Sequence, residues 1–405
     1  MSDVVLFTGA RRVATCTTPR ADSILSDVAI AVRDGRIISA GPERDLREKH
    51  TGASIVDCTD RVITPGFVDS HTHAVFGSYR AQEYALRSRG VSYMEIARKG
   101  GGINSSVKDV RAKSQTELES LTRDRLRTML ALGTTTAEVK SGYGLETEAE
   151  LKMLRVVRTL AAEGPIDLVP TFLGAHEFPA EYRERRDDYV DLVTDEMIPA
   201  VAAEKLAVFC DVFMEPGIYT SEQSRRVLEA GIEHGLRPKL HADELEWSGG
   251  AELAAALGAA SADHLGGISD SGIRALARSG TVATLLPGTL FFLGKPTRAP
   301  ARRLIDAGAT VALASDYNPG SSPSPSMPLV MTMACSSMGM DPIEALYAAT
   351  AGGAAALDLD DGTGTIAAGA PADLIIWNVR DCEEIPYHFG KPPIESVWKS
   401  GTRVA

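Results

Sequence analysis

The segment His71-Thr-His73 is the part of this chain with the clearest chemical meaning. Side chains two residues apart on an extended strand project to the same face, so the two imidazoles can approach one metal ion. Neutral imidazole is a good ligand for zinc, iron and related ions. The pair directly follows the apolar run Val62–Asp69, which predicts that both side chains sit at the end of a buried strand.

More metal-binding residue types follow strand-like segments further along the chain, namely His176, His241, His264 and Asp316. Asp316 comes after small and apolar residues, where a buried carboxylate is costly unless a metal or hydrogen bonds compensate. The alternative for Asp316 is an N-cap of the next helix. Three imidazoles and one carboxylate leave room for water, as in catalytic metal sites. The predicted metal ligands are His71, His73, His241 and Asp316.

Residues beside these ligands could move protons. Glu244 lies three positions after His241 and could take a proton from an activated water, or it could simply open the next helix, where the dipole favours acid. We assign that helix-opening role to Asp243. His264 could stabilise charge beside the water, with a structural hydrogen-bonded histidine as the alternative. Glu244, His264 and Asp316 are therefore the candidate catalytic residues.

The elements that must position these residues alternate between strand and helix. Eight such units predict a (β/α)8 TIM-like barrel over residues 66–358, with functional groups at the carboxyl ends of its strands. A doubly wound sheet is the alternative, but no G-x-G-x-x-G motif follows an early strand. The predicted strands lie near 67–71, 134–140, 166–174, 207–214, 237–241, 261–265, 281–286 and 310–315. Predicted helices include Glu146–Ala162, Ser221–His234, Gly250–Leu257 and Ser269–Ser279.

Both ends of the chain predict β structure. Residues 4–65 have strand patterns throughout, with Asp34-Gly35 between two apolar runs as a strong hairpin signal. The C-terminal segment is rich in turn residues, then strand-like, and ends in a second hairpin pattern. The composite small β-sandwich domain is predicted to consist of residues 1–65 and 359–405.

Composition narrows the class of protein. The chain has 405 residues, 44% hydrophobic and 24% charged, as in a soluble globular protein. Its net charge of −12 disfavours nucleic acid or an anionic membrane as partner. Five cysteines lie far apart without a CxxC pair, which favours buried free thiols in a reducing compartment. No run reaches the length of a signal-peptide core or a membrane span, so we expect a cytoplasmic protein.

Longer motifs surround the candidate residues, and through them nearly the whole chain resembles the amidohydrolase superfamily. Two motifs are general to that superfamily: Thr64–His73 and Pro371–Trp377. Others resemble more closely the members that open the cyclic amide of 4-imidazolone-5-propanoate. These are Val75–Arg80, Ile96–Ile103, Lys140–Leu145, Thr171–His176, His241–Leu245, Leu285–Leu293 and Asp316–Ser321.

The resemblance implies a homodimeric hydrolase that converts 4-imidazolone-5-propanoate to N-formimidoyl-L-glutamate with one zinc or iron ion per chain. Glu244 and His264 would flank the reacting water. Many relatives bind two metals through a carboxylated lysine on the fourth barrel strand, but Val208–Glu215 contains no lysine, so one metal is expected. Lys140 would be structural or adjacent to substrate. The substrate would contact Arg80, Tyr143, His176, Asn318, Gly320 and Ser321.

Two of these substrate contacts also have a direct physical basis. A guanidinium binds carboxylate through two parallel hydrogen bonds, and Arg80 lies seven residues after His73, close enough to overhang the same rim. The alternative is a solvated arginine on an early helix. Tyr143 lies between two glycines in a loop, so its phenol could reach a ligand or pack locally.

Two other functions remain as alternatives. One is a mononuclear deaminase of the same superfamily that acts on a heterocyclic base, which would use the same ligands without needing Arg80. The other is a non-catalytic scaffold that keeps the barrel, which predicts gaps in the ligand set. Every predicted ligand is present.

Overall fold

The computed structural model describes residues 4–91, 95 and 100–405, and its strands form one large parallel sheet and two smaller sheets. The large sheet consists of β8 Phe67–Asp69, β9 Thr134–Lys140, β10 Asp167–Ala175, β11 Phe209–Met214, β12 Arg237–Ala242, β13 Ser261–His264, β14 Val282–Leu285 and β15 Val311–Leu313. The smaller sheets consist of β1 Val5–Thr8, β2 Arg12–Ala14, β3 Ile24–Leu25, β4 Val28–Arg33, β5 Arg36–Pro42, β6 Ser54–Asp57, β7 Val62–Pro65, β16 Leu374–Trp377, β17 Ile394–Lys399 and β18 Thr402–Arg403.

Helices cover the outside of the large sheet and separate most of its strands. The α-helices are Glu43–Lys49, Ala81–Ser88, Ile103–Ala112, Gln115–Ala131, Thr147–Glu163, Arg186–Leu192, Ile198–Ala203, Ser221–Glu233, Gly250–Ala256, Asp270–Ser279, Pro287–Phe292, Ala301–Asp306, Met327–Met338, Pro342–Ala348, Ala351–Ala355 and Glu384–Tyr387. Short 3-10 turns lie at Ala21–Ser23 and Ala180–Tyr182, and a π turn at Val193–Met197. No helix in the described ranges is both long and apolar enough to span a bilayer.

The large sheet is the predicted barrel. Strands β8 to β15 pair in sequence order, each parallel to the next. At the carboxyl end the two outer strands meet through a parallel bridge between Thr72 and Tyr317. There the His73 N–H donates to Tyr317 O at 2.9 Å and the Asp316 N–H donates to His71 O at 3.0 Å. The hydrogen bonds that close the barrel therefore also join the His71–His73 segment to Asp316.

Local sequence explains why these elements form. All seven residues of β9 are buried, as expected of a parallel strand covered by helices on one face and enclosed by the barrel on the other. Helix Ser221–Glu233 begins at a capping box in which Thr220 and Gln223 satisfy each other's backbone N–H groups. The eight predicted strands and four predicted helices are confirmed, with ends that differ by a few residues.

The terminal strands form two packed sheets, in agreement with the predicted β-sandwich. A four-stranded sheet comes from the N-terminal segment, whereas the six-stranded sheet joins N-terminal strands to C-terminal ones through antiparallel pairing of β7 with β16. The predicted hairpin is confirmed between β4 and β5, where Asp34 and Gly35 have φ of 50° and 74°. Apolar residues of both sheets share one core. The exact domain boundaries, 1–65 with 359–405 and 66–358, stay a prediction.

One expectation about the N-terminal segment is wrong. Residues 4–65 are not β structure throughout, because Glu43–Lys49 is helical. Pro42 ends β5, and the ion pairs Arg47–Glu43 and Arg44–Glu48, each one helical turn apart, favour the helix. Of the motif Ile96–Ile103, residues 96–99 lie outside the described part of the chain.

Candidate active site

Side chains at or just after the ends of five different barrel strands meet at one end of the barrel. The imidazoles among them, called the histidine cluster below, come from the segments after β8 and β10 and from the ends of β12 and β13. Asp316 follows β15. The carboxyl ends of parallel barrel strands share one rim, which explains the convergence. The histidine cluster consists of His71, His73, His176, His241 and His264.

The four predicted metal ligands lie close together. The ring centroids of His71 and His241 are 4.5 Å apart, and those of His71 and His73 are 5.3 Å apart. Asp316 Oδ1 is 3.6 Å from Nε2 of both His71 and His73. Its other oxygen accepts a hydrogen bond from Thr289 Oγ1 at 2.5 Å. Several triplets of potential ligand atoms within 4.8 Å of one another occur here, including one that adds His264 to His71 and His241.

The donor atoms fit a metal ion. Nε2 of His71 and Nε2 of His241 are buried and have no hydrogen-bond partner within the described residues, an arrangement that is costly unless a ligand satisfies them. Burial lowers the pKa of His71 and His73 well below the usual value, so both are neutral, the form that binds metal. Burial also raises the pKa of Asp316, to about 6, which leaves it mostly ionised at neutral pH.

Deeper in the barrel lies a group of fully buried charges, called the ion layer below. Lys140 Nζ is 2.7 Å from Asp211 Oδ2 and 2.9 Å from Glu138 Oε2. Lys239 Nζ is 3.0 Å from Glu138 Oε1. Lys140 does not line the cavity, so the structural alternative for this residue is correct. The ion layer consists of Glu138, Lys140, Asp211, Lys239 and Asp263.

The ion layer contacts two predicted ligands directly. Asp263 Oδ2 is 2.6 Å from His71 Nδ1, and Asp211 Oδ2 is 3.0 Å from His241 Nδ1. The hydrogen bond to Asp263 holds the proton on His71 Nδ1 and leaves Nε2 as the lone-pair atom, whereas the Asp211–His241 contact is close but not aligned as a hydrogen bond. Counted with Asp316, which faces the imidazoles, the three carboxylates and two ammonium groups of the ion layer leave a net charge of −2 when all are ionised, which a divalent cation would balance.

A cavity of about 580 Å³ opens next to the histidine cluster. Arg80, the N-cap residue of helix Ala81–Ser88, points into it with Nε and Nη1 buried and without a hydrogen-bond partner in the described chain. The nearest carboxylate, that of Glu83, is 3.9 Å from Nε. Every predicted substrate contact lines this cavity: Arg80, Tyr143, His176, Asn318, Gly320 and Ser321.

Glu244 and His264 also line the cavity, beside the predicted ligands. Glu244 Oε2 is 3.8 Å from His264 Nε2. Burial, reinforced by the charges of Asp316 and Glu215, raises the pKa of Glu244 to about 8. A bound cation would lower that pKa, because an opposite charge favours the carboxylate.

Two acidic residues that sequence reasoning missed hold the loops of the site. Glu215 accepts backbone N–H groups from residues 244–246, including that of Glu244 at 2.9 Å. Glu150 accepts the N–H groups of Gly142, Gly144 and Leu145 around Tyr143. The carbonyl of Gly142 is in turn 2.9 Å from Nδ1 of His176. Glu150 had a local signal, because it lies within eight residues of the glycine-rich loop that it holds, whereas Glu215 is about 30 residues from its loop and had none.

The loop after β15 is built largely by its own side chain Asn318. Its amide nitrogen donates to Asp316 O at 2.7 Å, and its oxygen accepts from the Gly320 and Ser321 N–H groups, both at 2.8 Å. A Cβ added at Gly320 would lie 1.2 Å from Arg80 Nη2, so the glycine makes space for the guanidinium. Asn318 therefore shapes the wall around Arg80 through the loop backbone.

Two residues of the candidate site have a strained backbone. His264 and Asp316 have φ of 79° and 50°, in the left-handed region that side chains other than glycine rarely adopt. Such conformations cost about 1–3 kcal/mol each and cluster at functional sites.

Asp243 and the histidines outside the cluster lie at helix ends. Asp243 accepts the N–H groups of residues 248–251 and so caps helix Gly250–Ala256, although it is buried, not exposed as a helix-opening surface residue would be. The three histidines outside the cluster, His50, His234 and His388, are each the C-cap residue of a helix. The five cysteines are free, and all but Cys335 are fully buried.

Comparison with known proteins gives consistent results. The model of the Amidohydrolase family matches residues 62–404. An imidazolonepropionase from Symbiobacterium thermophilum is 48% identical over 98% of this chain and 96% of its own length. An imidazolonepropionase from Alkaliphilus metalliredigens is 45% identical over 100% of this chain and 96% of its own.

Solved structures agree on the fold. A zinc-bound adenosine deaminase from Xanthomonas campestris superposes with a TM-score of 0.72 at 21% identity, covering 98% of this chain and 92% of that one. A guanine deaminase from C. acetobutylicum superposes with a TM-score of 0.69 at 19% identity, covering 99% and 100%. At these identities the likeness concerns the architecture alone.

Proposed function

Because the chain belongs to the amidohydrolase family, and within it to the imidazolonepropionases, we propose that it hydrolyses the cyclic amide of 4-imidazolone-5-propanoate to N-formimidoyl-L-glutamate, a step of histidine degradation. In this reaction the ring C–N bond next to the carbonyl breaks. The carbonyl carbon takes the oxygen of water, and the departing nitrogen takes a proton.

The observation that carries the proposal is the Arg80 guanidinium. Two of its nitrogens are buried without a partner among the described residues, in the same cavity as the histidine cluster. The ion pair with Glu83 is long, at 3.9 Å, and leaves those two nitrogens without a hydrogen bond, so the cavity favours a ligand that brings an anion. The propanoate tail supplies a carboxylate with the geometry that a guanidinium binds through two hydrogen bonds.

The proposal includes one zinc or iron ion per chain, held by His71, His73, His241 and Asp316. Both metals accept imidazole nitrogen and carboxylate oxygen. Bound there, such an ion would supply Lewis acidity, polarising the ring carbonyl and lowering the pKa of water. Strand β11 contains no lysine that could bridge a second ion, which supports a single ion.

Protons are moved by side chains next to the ligands. Glu244 takes the proton of the attacking water at a carboxylate oxygen and returns it to the departing ring nitrogen. His264, whose pKa burial keeps well below the usual value, stays neutral and positions the water through Nε2, 3.8 Å from Glu244. Asp316 serves as ligand and as a second proton relay.

The remaining cavity residues hold the substrate ring. Tyr143 and His176 lie against His73, with ring centroids 5.7 Å and 5.0 Å from it, and form one wall. The loop with Asn318, Gly320 and Ser321 forms another wall beside Arg80 and orients the tail.

The proposal is tested by generating imidazolonepropanoate enzymatically in situ and following the loss of its ultraviolet absorbance. Purified protein should accelerate that loss, and a chelator should abolish the acceleration, with recovery after zinc or iron is added back. Absence of turnover in metal-loaded protein would refute the function. Metal analysis should give about one ion per chain, and two would refute the mononuclear site.

The deaminase alternative has less support. The relatives with high identity are imidazolonepropionases, and the deaminases share only the fold at about 20% identity. A deaminase that acts on a neutral base also leaves the buried Arg80 nitrogens without a hydrogen-bonded anion, since Glu83 is 3.9 Å away.

We further propose that the enzyme works in the cytoplasm as a homodimer. Five free cysteines fit a reducing compartment, which supports the location. The dimer rests on the family resemblance. Sedimentation of the purified protein, with a monomer as the contrary outcome, tests the assembly.

A further inference from the structure

Lys140 is an unusual lysine because it lies wholly inside the barrel among carboxylates. Its side chain is fully buried, and Nζ is 2.7 Å from Asp211 Oδ2, 2.9 Å from Glu138 Oε2 and 3.7 Å from Asp263 Oδ2. Removing an ammonium group from water is costly, so such a residue persists only where several opposite charges compensate. The arrangement resembles a small cation site that an ammonium group occupies.

Two of the three carboxylates around Lys140 also contact the imidazoles of predicted ligands. Asp211 Oδ2 is 3.0 Å from His241 Nδ1, and Asp263 Oδ2 is 2.6 Å from His71 Nδ1. One ammonium therefore lies between two carboxylates that contact predicted ligands: Asp263 is hydrogen-bonded to the His71 ring, and Asp211 accepts the backbone N–H of His241 at 3.2 Å and lies beside its ring. Without that cation, the two negative charges would repel each other and would favour rotation of one carboxylate away from its imidazole.

We propose that Lys140 is a positioning residue for the metal centre: it holds Asp211 and Asp263 so that Nε2 of His241 and Nε2 of His71 face one point. This inference rests on the metal-dependent function proposed above and extends it to a residue that does not reach the cavity. Lys239 differs in its direct contacts, which are Glu138 Oε1 at 3.0 Å and the backbone Ser70 O at 3.1 Å, and it acts on Asp263 through charge without an ion pair to Asp211 or Asp263 within the described residues.

The test measures zinc binding and needs no turnover. Metal-stripped Lys140→Met protein is titrated with Zn²⁺ in competition with a chromophoric chelator. We expect zinc affinity about 10–100-fold weaker than wild type, the range found when groups that orient metal ligands are removed. The matched control is Lys152→Met, since Lys152 is a partly buried lysine whose Nζ donates only to backbone carbonyls, those of Val110, Arg111 and Lys113. Its zinc affinity should equal that of wild type.

A second variant keeps the test decisive if Lys140→Met does not fold. Asp263→Asn preserves size and leaves an oxygen that can accept the His71 Nδ1 proton, while it removes one charge that Lys140 holds. We expect about 10-fold weaker zinc binding with an unchanged circular dichroism spectrum. Unchanged zinc affinity in both variants, or in Asp263→Asn alone where Lys140→Met is unfolded, would overturn the proposal.

A double variant separates positioning from a general loss of structure. Lys140→Met and Asp263→Asn act on one network, so the combined loss of zinc affinity should be clearly less than the product of the two single losses. Multiplicative effects would overturn the proposal. Wild-type protein that binds zinc tightly but does not turn over imidazolonepropanoate would refute the proposed function and leave this inference standing.

Discussion

The histidine cluster and the ion layer are two polar groups inside one barrel, a few ångströms apart, and they differ in how their atoms are satisfied. In the ion layer both lysine ammonium groups lie within 3.0 Å of a carboxylate oxygen. In the histidine cluster, Nε2 of His71, of His241 and of His264 lacks a hydrogen-bond partner among the described residues. The two groups share strands β12 and β13; the remaining ion-layer residues lie on β9 and β11, and the remaining histidines follow β8 and β10.

The difference indicates where ligands enter. A buried polar atom that is paired within the protein stabilises the arrangement around it, whereas one that is unpaired favours a partner from outside. Arg80 belongs with the histidine cluster in this respect, since two of its buried nitrogens are also unpartnered. The rim of the barrel is thus the reactive region, and the ion layer is its support.

The largest effect is expected from Glu244→Gln. The amide cannot accept a proton, so kcat should fall about 100- to 10,000-fold, while metal content stays at the wild-type level. The exposed neighbour Glu246, changed to Gln, is the control and should leave kcat unchanged. Wild-type kcat in Glu244→Gln would remove that residue from the mechanism.

Lys239→Met should lower the stability of the fold more than it lowers zinc affinity. It leaves Glu138 with one cationic partner in the barrel interior, and breaking a buried ion pair lowers the free energy of unfolding by about 3–5 kcal/mol. Zinc affinity should fall less than in Lys140→Met. Urea unfolding of metal-free protein measures the free energy of unfolding, and Lys49→Met, at an exposed position, is the control. Equal zinc losses in the Lys239 and Lys140 variants would contradict the distinction between the two lysines.

Arg80→Met tests the unpartnered guanidinium. Hydrogen bonds to a charged group contribute about 1.5–3 kcal/mol, so KM for imidazolonepropanoate should rise roughly 10- to 100-fold. Steady-state kinetics with the exposed Arg89→Met as control measures the change. A KM close to that of wild type would favour a substrate without a carboxylate tail, as the deaminase alternative expects.

Gly320→Ala should produce the smallest effect of the four. The new Cβ would overlap Arg80 Nη2, and the flexible arginine side chain can move aside at little cost in stability. We therefore expect KM to rise roughly 10-fold, part of the loss in Arg80→Met, with the same midpoint of urea unfolding as wild type. Gly41→Ala, where a Cβ meets nothing within 4 Å, is the control. A lowered unfolding midpoint with normal KM would mean that the glycine serves only packing.

Much of the fold and of the site was readable from local patterns. Apolar segments at regular spacing predicted the eight barrel strands, and a ligand-type residue directly after a strand predicted where that residue would lie. The helix Glu43–Lys49 was missed because it is short and charged, without an apolar period, and its stability comes from pairs one turn apart and from packing of Leu46.

The sequence by itself determined which residues stand at strand ends, because strand period and hydrophobic burial are properties of neighbouring residues. Only the tertiary structure decided that Asp263 would hold His71, 192 positions away, and that Lys140 would join Asp211, 71 positions away. Those pairings depend on strand register and barrel closure, which bring distant residues within hydrogen-bond range. A charged residue in a buried strand indicates only that some partner must compensate its charge. The three-dimensional packing determines which residue that partner is.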